Sequence, residues 1–393
     1  MKKSLIALAA LAAVSAASAQ SSVTMYGVLD IGYGSQKGQN RDGSVTLKSS
    51  GVLDGANAGN RIGFRGTEDL GGGLKADFVI EQGITPTANG GALFGARAGN
   101  AGQQGSVASP FAATSPLAAK SGLQTDTNRQ TYFALSGANW GAVRIGYQYN
   151  NLYELGTLSG YNTGSEGVPG AYSSHLWGAA AVGGTRSNGL TYISPNFSGF
   201  TVRAQYGAAG ANAETSVSNN AAGTLDENTG RRYSLMGQYA NGPLSAALAY
   251  TSLKANAQSL STVPAVAATS RTGSVTQLGA SYDFGVAKLA GTYNNGKDGA
   301  AANTSYRAYQ LGVSVPFGAI VPYITYGRAY SNKDGVVGRT ADIRQTQIGV
   351  RYSLSKRTTA YAMYGQSTDD AATVANNFLY KDSKTIVGVM HTF

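Results

Sequence analysis

Apolar and polar residues alternate with a period of two through most of this chain. Leu244, Ala246, Leu248 and Tyr250 alternate with Ser245, Ala247, Ala249 and Thr251. Tyr233, Leu235, Gly237 and Tyr239 alternate with Arg232, Ser234, Met236 and Gln238. Leu278, Ala280 and Tyr282 alternate with Gln277, Gly279 and Ser281, and Ile348, Val350, Tyr352 and Leu354 with Gln347, Gly349, Arg351 and Ser353. Successive side chains of a strand point to opposite faces, so each segment predicts a strand with one greasy and one polar face. A soluble sandwich turns the greasy face to a core, whereas a transmembrane barrel turns it to lipid and lines water with the other.

The connections separate these two architectures. Tight turns are predicted at Glu68 to Gly73, Gly137 to Gly141, Pro195 to Gly199, Asn241 to Pro243, Asp283 to Gly285, Pro316 to Gly318 and Ser355 to Lys356. Longer, more variable stretches fall at 35–59, 84–127, 150–185, 210–230, 253–271, 296–303, 332–341 and 368–381. Seven short and eight long connections join sixteen strands, an even number with both termini on the short-turn side. The fold class expected is therefore all-β: a 16-stranded antiparallel transmembrane β-barrel with short periplasmic turns and long external loops. Tyr239, Tyr282 and Tyr352 near short-turn ends, and Tyr250 and Tyr293 near long-loop ends, suit aromatic girdles at two interfaces. The last strand, about Asp382 to Phe393, carries Val387, Val389, His391 and Phe393 on one face. Closure requires it to pair with a first strand over Val23–Gly34, because an open edge in lipid leaves backbone groups unsatisfied.

The N-terminus sets the compartment. Lys2 and Lys3 precede an apolar run from Ser4 to Val14, and Ala17-Ser18-Ala19 ends it. That order of regions predicts a secretory signal peptide over 1–19 and a barrel domain over 20–393. No later apolar run is long enough for a transmembrane helix, and the mean hydropathy of −0.15 does not argue against a barrel, where only alternate residues meet lipid. The 54 glycines and 24 tyrosines, with only 13% charged residues, depart from ordinary soluble composition. The formal charge of +10 falls to +8 without Lys2 and Lys3, and it is spread along the chain rather than blocked. Spread charge suits a pore lining or a solvated surface, not a nucleic-acid patch.

Chemistry for catalysis is sparse. Without cysteine and with only His175 and His391, no zinc set is expected, and no nucleophile elbow or phosphate loop occurs. Asp369-Asp370 reads as solvated loop charge or a divalent-ion contact. No enzyme activity, cofactor or metal is expected. A sugar-specific channel remains an alternative, with Tyr26, Tyr147 and Tyr149 as possible stacking rings. A β-solenoid would need a fixed short repeat, which is not seen.

Particular stretches carry a family likeness. Val23-Thr-Met-Tyr-Gly-Val-Leu-Asp30, Asn60-Arg-Ile-Gly-Phe-Arg-Gly-Thr-Glu-Asp-Leu-Gly-Gly-Gly-Leu-Lys-Ala76, Thr191-Tyr-Ile-Ser-Pro-Asn-Phe-Ser-Gly-Phe200 and Val387-Gly-Val-Met-His-Thr-Phe393 resemble the Gram-negative trimeric porins of the Neisseria and Burkholderia type. The resemblance covers the whole mature chain. It implies a homotrimer in outer-membrane lipid and lipopolysaccharide, passing small hydrophilic solutes and ions. It implies a third loop folded into the pore and assembly through a C-terminal aromatic strand, here Val389, His391 and Phe393. It also implies a constriction in which wall arginines face acidic loop residues. By position the arginines are Arg61, Arg129 and Arg186, and the carboxylates of loop 150–185 are Glu154 and Glu166, with Glu166 opposite Arg61 and Arg129. Relatives often carry arginine where this chain has Tyr147 and Met390, so the resemblance implies only a weak anion preference.

Overall fold

The computed structural model describes residues 22–86, 124–158, 185–209, 231–256, 270–298, 303–371 and 380–393. The signal peptide expected over 1–19 lies outside them. The first half of the wall comprises β1 (Ser22–Gln39), β2 (Val45–Asp54), β3 (Arg61–Gly71), β4 (Leu74–Thr85), β5 (Gln124–Gly137), β6 (Gly141–Tyr149), β7 (Arg186–Ile193), β8 (Phe200–Ala209) and β9 (Arg231–Asn241). The second half comprises β10 (Leu244–Asn256), β11 (Ser270–Asp283), β12 (Lys288–Lys297), β13 (Thr304–Ser314), β14 (Ile320–Lys333), β15 (Ala341–Ser353), β16 (Thr358–Asp369) and β17 (Lys381–Thr392). One helix, α1 (Asn151–Leu158), follows β6.

These seventeen strands fill sixteen places around a closed barrel. β1 pairs with β3 over Ser22 to Val28 and with β2 over Ile31 to Gln39, so β2 and β3 are one wall strand interrupted at 55–60. β1 also pairs antiparallel with β17, Ile31 opposite Val389 and Leu29 opposite His391, which closes the sheet. Beyond that register, Gly27 and Phe393 exchange both backbone hydrogen bonds, at 3.1 and 3.2 Å. The Phe393 ring lies where a β-carbon on Gly27 would stand, within 2.3 Å, so closure needs glycine there. His391 Nδ1 lies 2.9 Å from the Thr358 hydroxyl on the neighbouring strand.

All seven short connections fall where the turn residues put them. One two-residue turn is built from Gly71, Gly72 and Gly73, whose φ values of 82°, 61° and 80° lie in the left-handed region that only glycine enters freely. The first loop differs from expectation. The segment 35–59 was expected to be irregular, yet β1 runs on to Gln39 and β2 returns from Val45. Past Tyr33 both faces become polar, which erases the hydrophobic alternation, while the backbone ladder continues because it still satisfies its own donors and acceptors.

The wall is apolar outside and polar inside. Leu235, Leu248, Leu278, Leu311, Ile324 and Ile348 are exposed outward, while Gln205, Ser234, Thr251, Gln277, Gln310, Thr325 and Gln347 are buried on the inner face. This inverts a soluble core and is the distribution that lipid outside and water inside require. No helix among the described residues is long and apolar enough to cross a membrane.

Candidate functional site

The site begins with a helix at the wall. Asn150 caps α1: its side-chain oxygen accepts the Tyr153 N–H at 3.1 Å and its carbonyl accepts that of Glu154 at 3.0 Å. Glu154 sits in the first turn, where the helix dipole favours negative charge. Leu155 packs on Met236, Ala247 and Ala249, and Leu152 on Leu253 and Val275. Those wall residues alternate with the outward Leu235, Leu248 and Tyr250, so they face inward. The helix therefore lies inside the barrel against β9, β10 and β11, held by its apolar side.

Its polar side turns to arginines. Glu154 Oε2 lies 3.0 Å from Arg203 Nη1 on β8, and Oε1 lies 4.0 Å from Arg144 Nη1 on β6. Arg144 also stands over the Tyr132 ring, 4.9 Å from its centroid. Tyr153 of α1 stacks on Tyr149 of β6 at 4.0 Å and 11°. Tyr149 takes Arg186 over its ring at 4.7 Å and Arg129 at 5.9 Å, and its hydroxyl accepts Arg186 Nη2 at 3.1 Å. Arg232, fully buried on β9, donates to the Arg186 carbonyl at 3.0 Å, and Tyr147 is close enough to interact with it electrostatically.

A second carboxylate, Glu81 on β4, organises the other side of the cluster. Arg129 Nε donates to its Oε1 at 2.7 Å, Tyr26 donates to its Oε2 at 3.0 Å, and Arg61 Nε lies 3.7 Å from that oxygen. A plain strand would send Arg129 outward with Thr131 and Phe133. The ladder skips it, pairing Gln130 with Glu81 and Asn128 with Gln82, and this bulge turns the guanidinium inward.

The break at 55–60 also folds inward. Asp30, fully buried on β1, accepts the N–H groups of Asn57 and Ala58 at 2.6 and 2.7 Å and the Tyr361 hydroxyl at 2.5 Å. Arg351 Nε donates to the Asn57 side-chain oxygen at 3.2 Å. The Gly59 carbonyl accepts Arg61 Nη1 at 2.9 Å, and a β-carbon on Gly59 would stand 3.1 Å from Arg129 Nη1. Asp30 thus pins the strip that seats two of the arginines.

The match to known proteins decides the family. The Gram-negative porin family matches residues 7–372. This chain is a Gram-negative porin. It is 34% identical to outer membrane porin protein 32 of Delftia acidovorans over 92% of this chain and 88% of that one. It is 29% identical to an outer membrane porin protein of Bordetella pertussis over the full length of both. Among solved structures, an anion-selective porin from Comamonas acidovorans superposes with a TM-score of 0.66 at 26% identity, covering 95% of this chain and 100% of that one. The porin is accordingly an outer-membrane channel protein and not an enzyme.

Of the residues singled out in its sequence, the structure brings Arg61, Arg129 and Arg186 into one linked cluster, with Tyr147 beside Arg232. Glu154 is in the lumen, facing Arg203 and Arg144 rather than Arg61 and Arg129. Glu166, the expected opponent of Arg61 and Arg129, lies outside the described residues, and the carboxylate those two share is Glu81 of their own wall. Asp369 accepts the N–H groups of Asp342 and Ala371, and Asp370 pairs with Arg344 at 2.5 Å. Sequence reasoning missed Glu81, Arg144, Arg203, Arg232 and Asp30. Each is a charge on the polar parity of an alternating strand, and that signal was available.

Proposed function

We propose that this porin forms a water-filled diffusion pore with a weak preference for anions, set by the arginine arc on β3 to β9. The observation that carries this is Arg61, Arg65, Arg129, Arg144, Arg186, Arg203 and Arg232 on this arc against Asp77, Glu81 and Glu154 among its described residues. Excess fixed positive charge in a narrow aqueous throat raises the local anion concentration, and screening over about 8 Å leaves it effective across such a throat. The printed selectivity of the Comamonas acidovorans porin points the same way. In this account residues 1–19 are a signal peptide and 20–393 fold as the barrel. The barrel assembles as a homotrimer in outer-membrane lipid, and the terminal strand with Val389, His391 and Phe393 is what the assembly machinery recognises.

The deciding experiment is the reversal potential of single channels across a salt gradient, for wild type and Arg61→Ala/Arg129→Ala. The double variant is expected to lose about two-fold to five-fold in anion-to-cation permeability per charge, from roughly 0.5–1 kcal/mol of Coulomb energy in water. Unchanged selectivity and conductance would show that these arginines do not set the throat.

A further inference from the structure

The lumen carries a second arrangement on the short-turn side of the arginine cluster. Thr67, Asp77, Ala134 and Arg144 stand opposite one another across β3 to β6 as one row. Arg65, Val79 and Tyr132 form the next row on the same face. They alternate with Phe64, Ile80, Phe133 and Ile145, which are exposed on the outer wall, so both rows face the pore. Asp77 lies four residues before Glu81 on β4, roughly 13 Å closer to the turn at Gly72. Between the rows lies a recess of about 300 Å³, lined by Arg65, Thr67, Asp77, Tyr132 and Arg144.

Charges of both signs border this recess without pairing across it. Asp77 accepts the Thr67 hydroxyl at 2.7 Å on Oδ1 and the Ser136 hydroxyl at 3.0 Å on Oδ2. Each oxygen keeps a further lone pair. Arg65 rests over the Tyr26 ring at 5.4 Å, and Arg144 over the Tyr132 ring at 4.9 Å. Among the described residues no ion pair joins either arginine to Asp77. Glu154, 4.0 Å from Arg144, is held more closely by Arg203 at 3.0 Å. An aspartate placed only to neutralise the wall would pair with one of its arginines. Here two hydroxyls hold the carboxylate, and two aromatic faces hold the guanidinium groups, with the recess left between them.

We infer that this recess binds an acidic α-amino acid, a solute with two carboxylates and one ammonium. Arg65 and Arg144 each take one carboxylate, and Asp77 accepts from the ammonium. Two positive groups and one negative on the wall thus meet two negative groups and one positive on the solute. Guanidinium presents the planar donors that a carboxylate matches, and such charge-assisted bonds are the strong class. A plain dicarboxylate or a phosphate would meet Asp77 as a like charge, and a neutral amino acid would leave one arginine unmatched. The inference rests on the reading of the barrel as an open pore and adds a solute class to it, independently of the ion preference.

Titration calorimetry of the full-length folded porin tests it, with L-glutamate, glutarate, L-glutamine and inorganic phosphate as probes. Wild type is expected to bind glutamate about ten-fold more tightly than any of the other three, the scale of one charge-assisted hydrogen bond. Asp77→Asn should remove the preference for glutamate over glutarate while glutarate still binds, which also shows that the variant is folded. Arg65→Gln, at a position exposed to the lumen, should weaken glutamate about ten-fold and serves where Asp77→Asn fails to fold. Glutarate or phosphate held by wild type as tightly as glutamate would make this a general anion site and overturn the proposal. So would equal binding of glutamine, a glutamate preference that survives Asp77→Asn, an unchanged glutamate affinity in Arg65→Gln, or no saturable binding of any probe. Single-channel conductance reads the open pore separately. A conducting channel without glutamate preference would sink this inference and leave that reading intact.

Discussion

The inner wall over β3 to β9 and the inner wall over β16, β17 and β1 share one architecture and use their charges in opposite ways. On the first arc arginines outnumber carboxylates and stay partly open to the lumen: the side chains of Arg61 and Arg144 are 27% and 24% exposed. On the second, Asp30, Asp369 and Asp382 are at most 2% exposed. Each accepts from structure: Asp30 from Tyr361, Asn57 and Ala58, Asp369 from Asp342 and Ala371, and Asp382 from Gln36 through Oδ1. A buried carboxylate surrounded by donors contributes rigidity and little field, whereas a half-open guanidinium contributes field and little rigidity. Among the described residues, the exposed charge of these two arcs is therefore mostly cationic and lies on the first.

The strongest way to break this contrast is to reverse the open charges. Arg61→Glu/Arg144→Glu changes four units of charge at two open positions. The reversal potential is expected to change sign, giving a cation-preferring pore. A sign that stays anionic would place selectivity outside this arc. The next effect belongs to the closed arc. Asp30→Ala leaves the Tyr361 hydroxyl and two backbone N–H groups without their acceptor, at about 1–3 kcal/mol each. We expect the urea midpoint for loss of heat-modifiable gel migration to fall clearly, with noisier single-channel current as 55–60 loses its anchor. Selectivity should shift less than in the arginine variants. If the variant melts like wild type, the buried carboxylate is not what holds that strip.

Most of the fold was legible because it depends on period-two alternation and on turn residues, both local. The seven short turns, the strand number and the pairing of the last strand with the first all follow from them. What was not legible depends on breaks in that alternation. Arg129 has the outward parity of Phe133 and enters the lumen only through a bulge. The interruption at 55–60 becomes visible only when Asp30 is seen reaching across β1 to the backbone of Asn57 and Ala58. Glu81 was passed over because attention went to loop carboxylates, although a lone acid between Ile80 and Gln82 on the polar parity of an apolar strand marks a lumen charge. Tyr149, by contrast, was considered as a sugar-stacking ring, and the structure has it occupied by Tyr153 and two guanidinium groups.

The finest test of the contrast is Glu81→Gln, because Glu81 is the carboxylate placed on the open arc and used in the manner of the closed one. It binds Arg129, approaches Arg61 and accepts from Tyr26 while remaining almost inaccessible. Glutamine keeps the shape and one acceptor oxygen, so the bulge at Arg129 and its contact with the Tyr149 ring are retained. Removing the negative charge leaves more of the arginine field uncompensated. Anion-to-cation permeability should therefore rise, by about two-fold for roughly 0.5 kcal/mol of Coulomb energy. If Glu81 acts instead as a structural anchor, Arg129 will leave the lumen and the same substitution will lower the anion preference. The sign of that small shift, read from the reversal potential, decides which arc Glu81 belongs to.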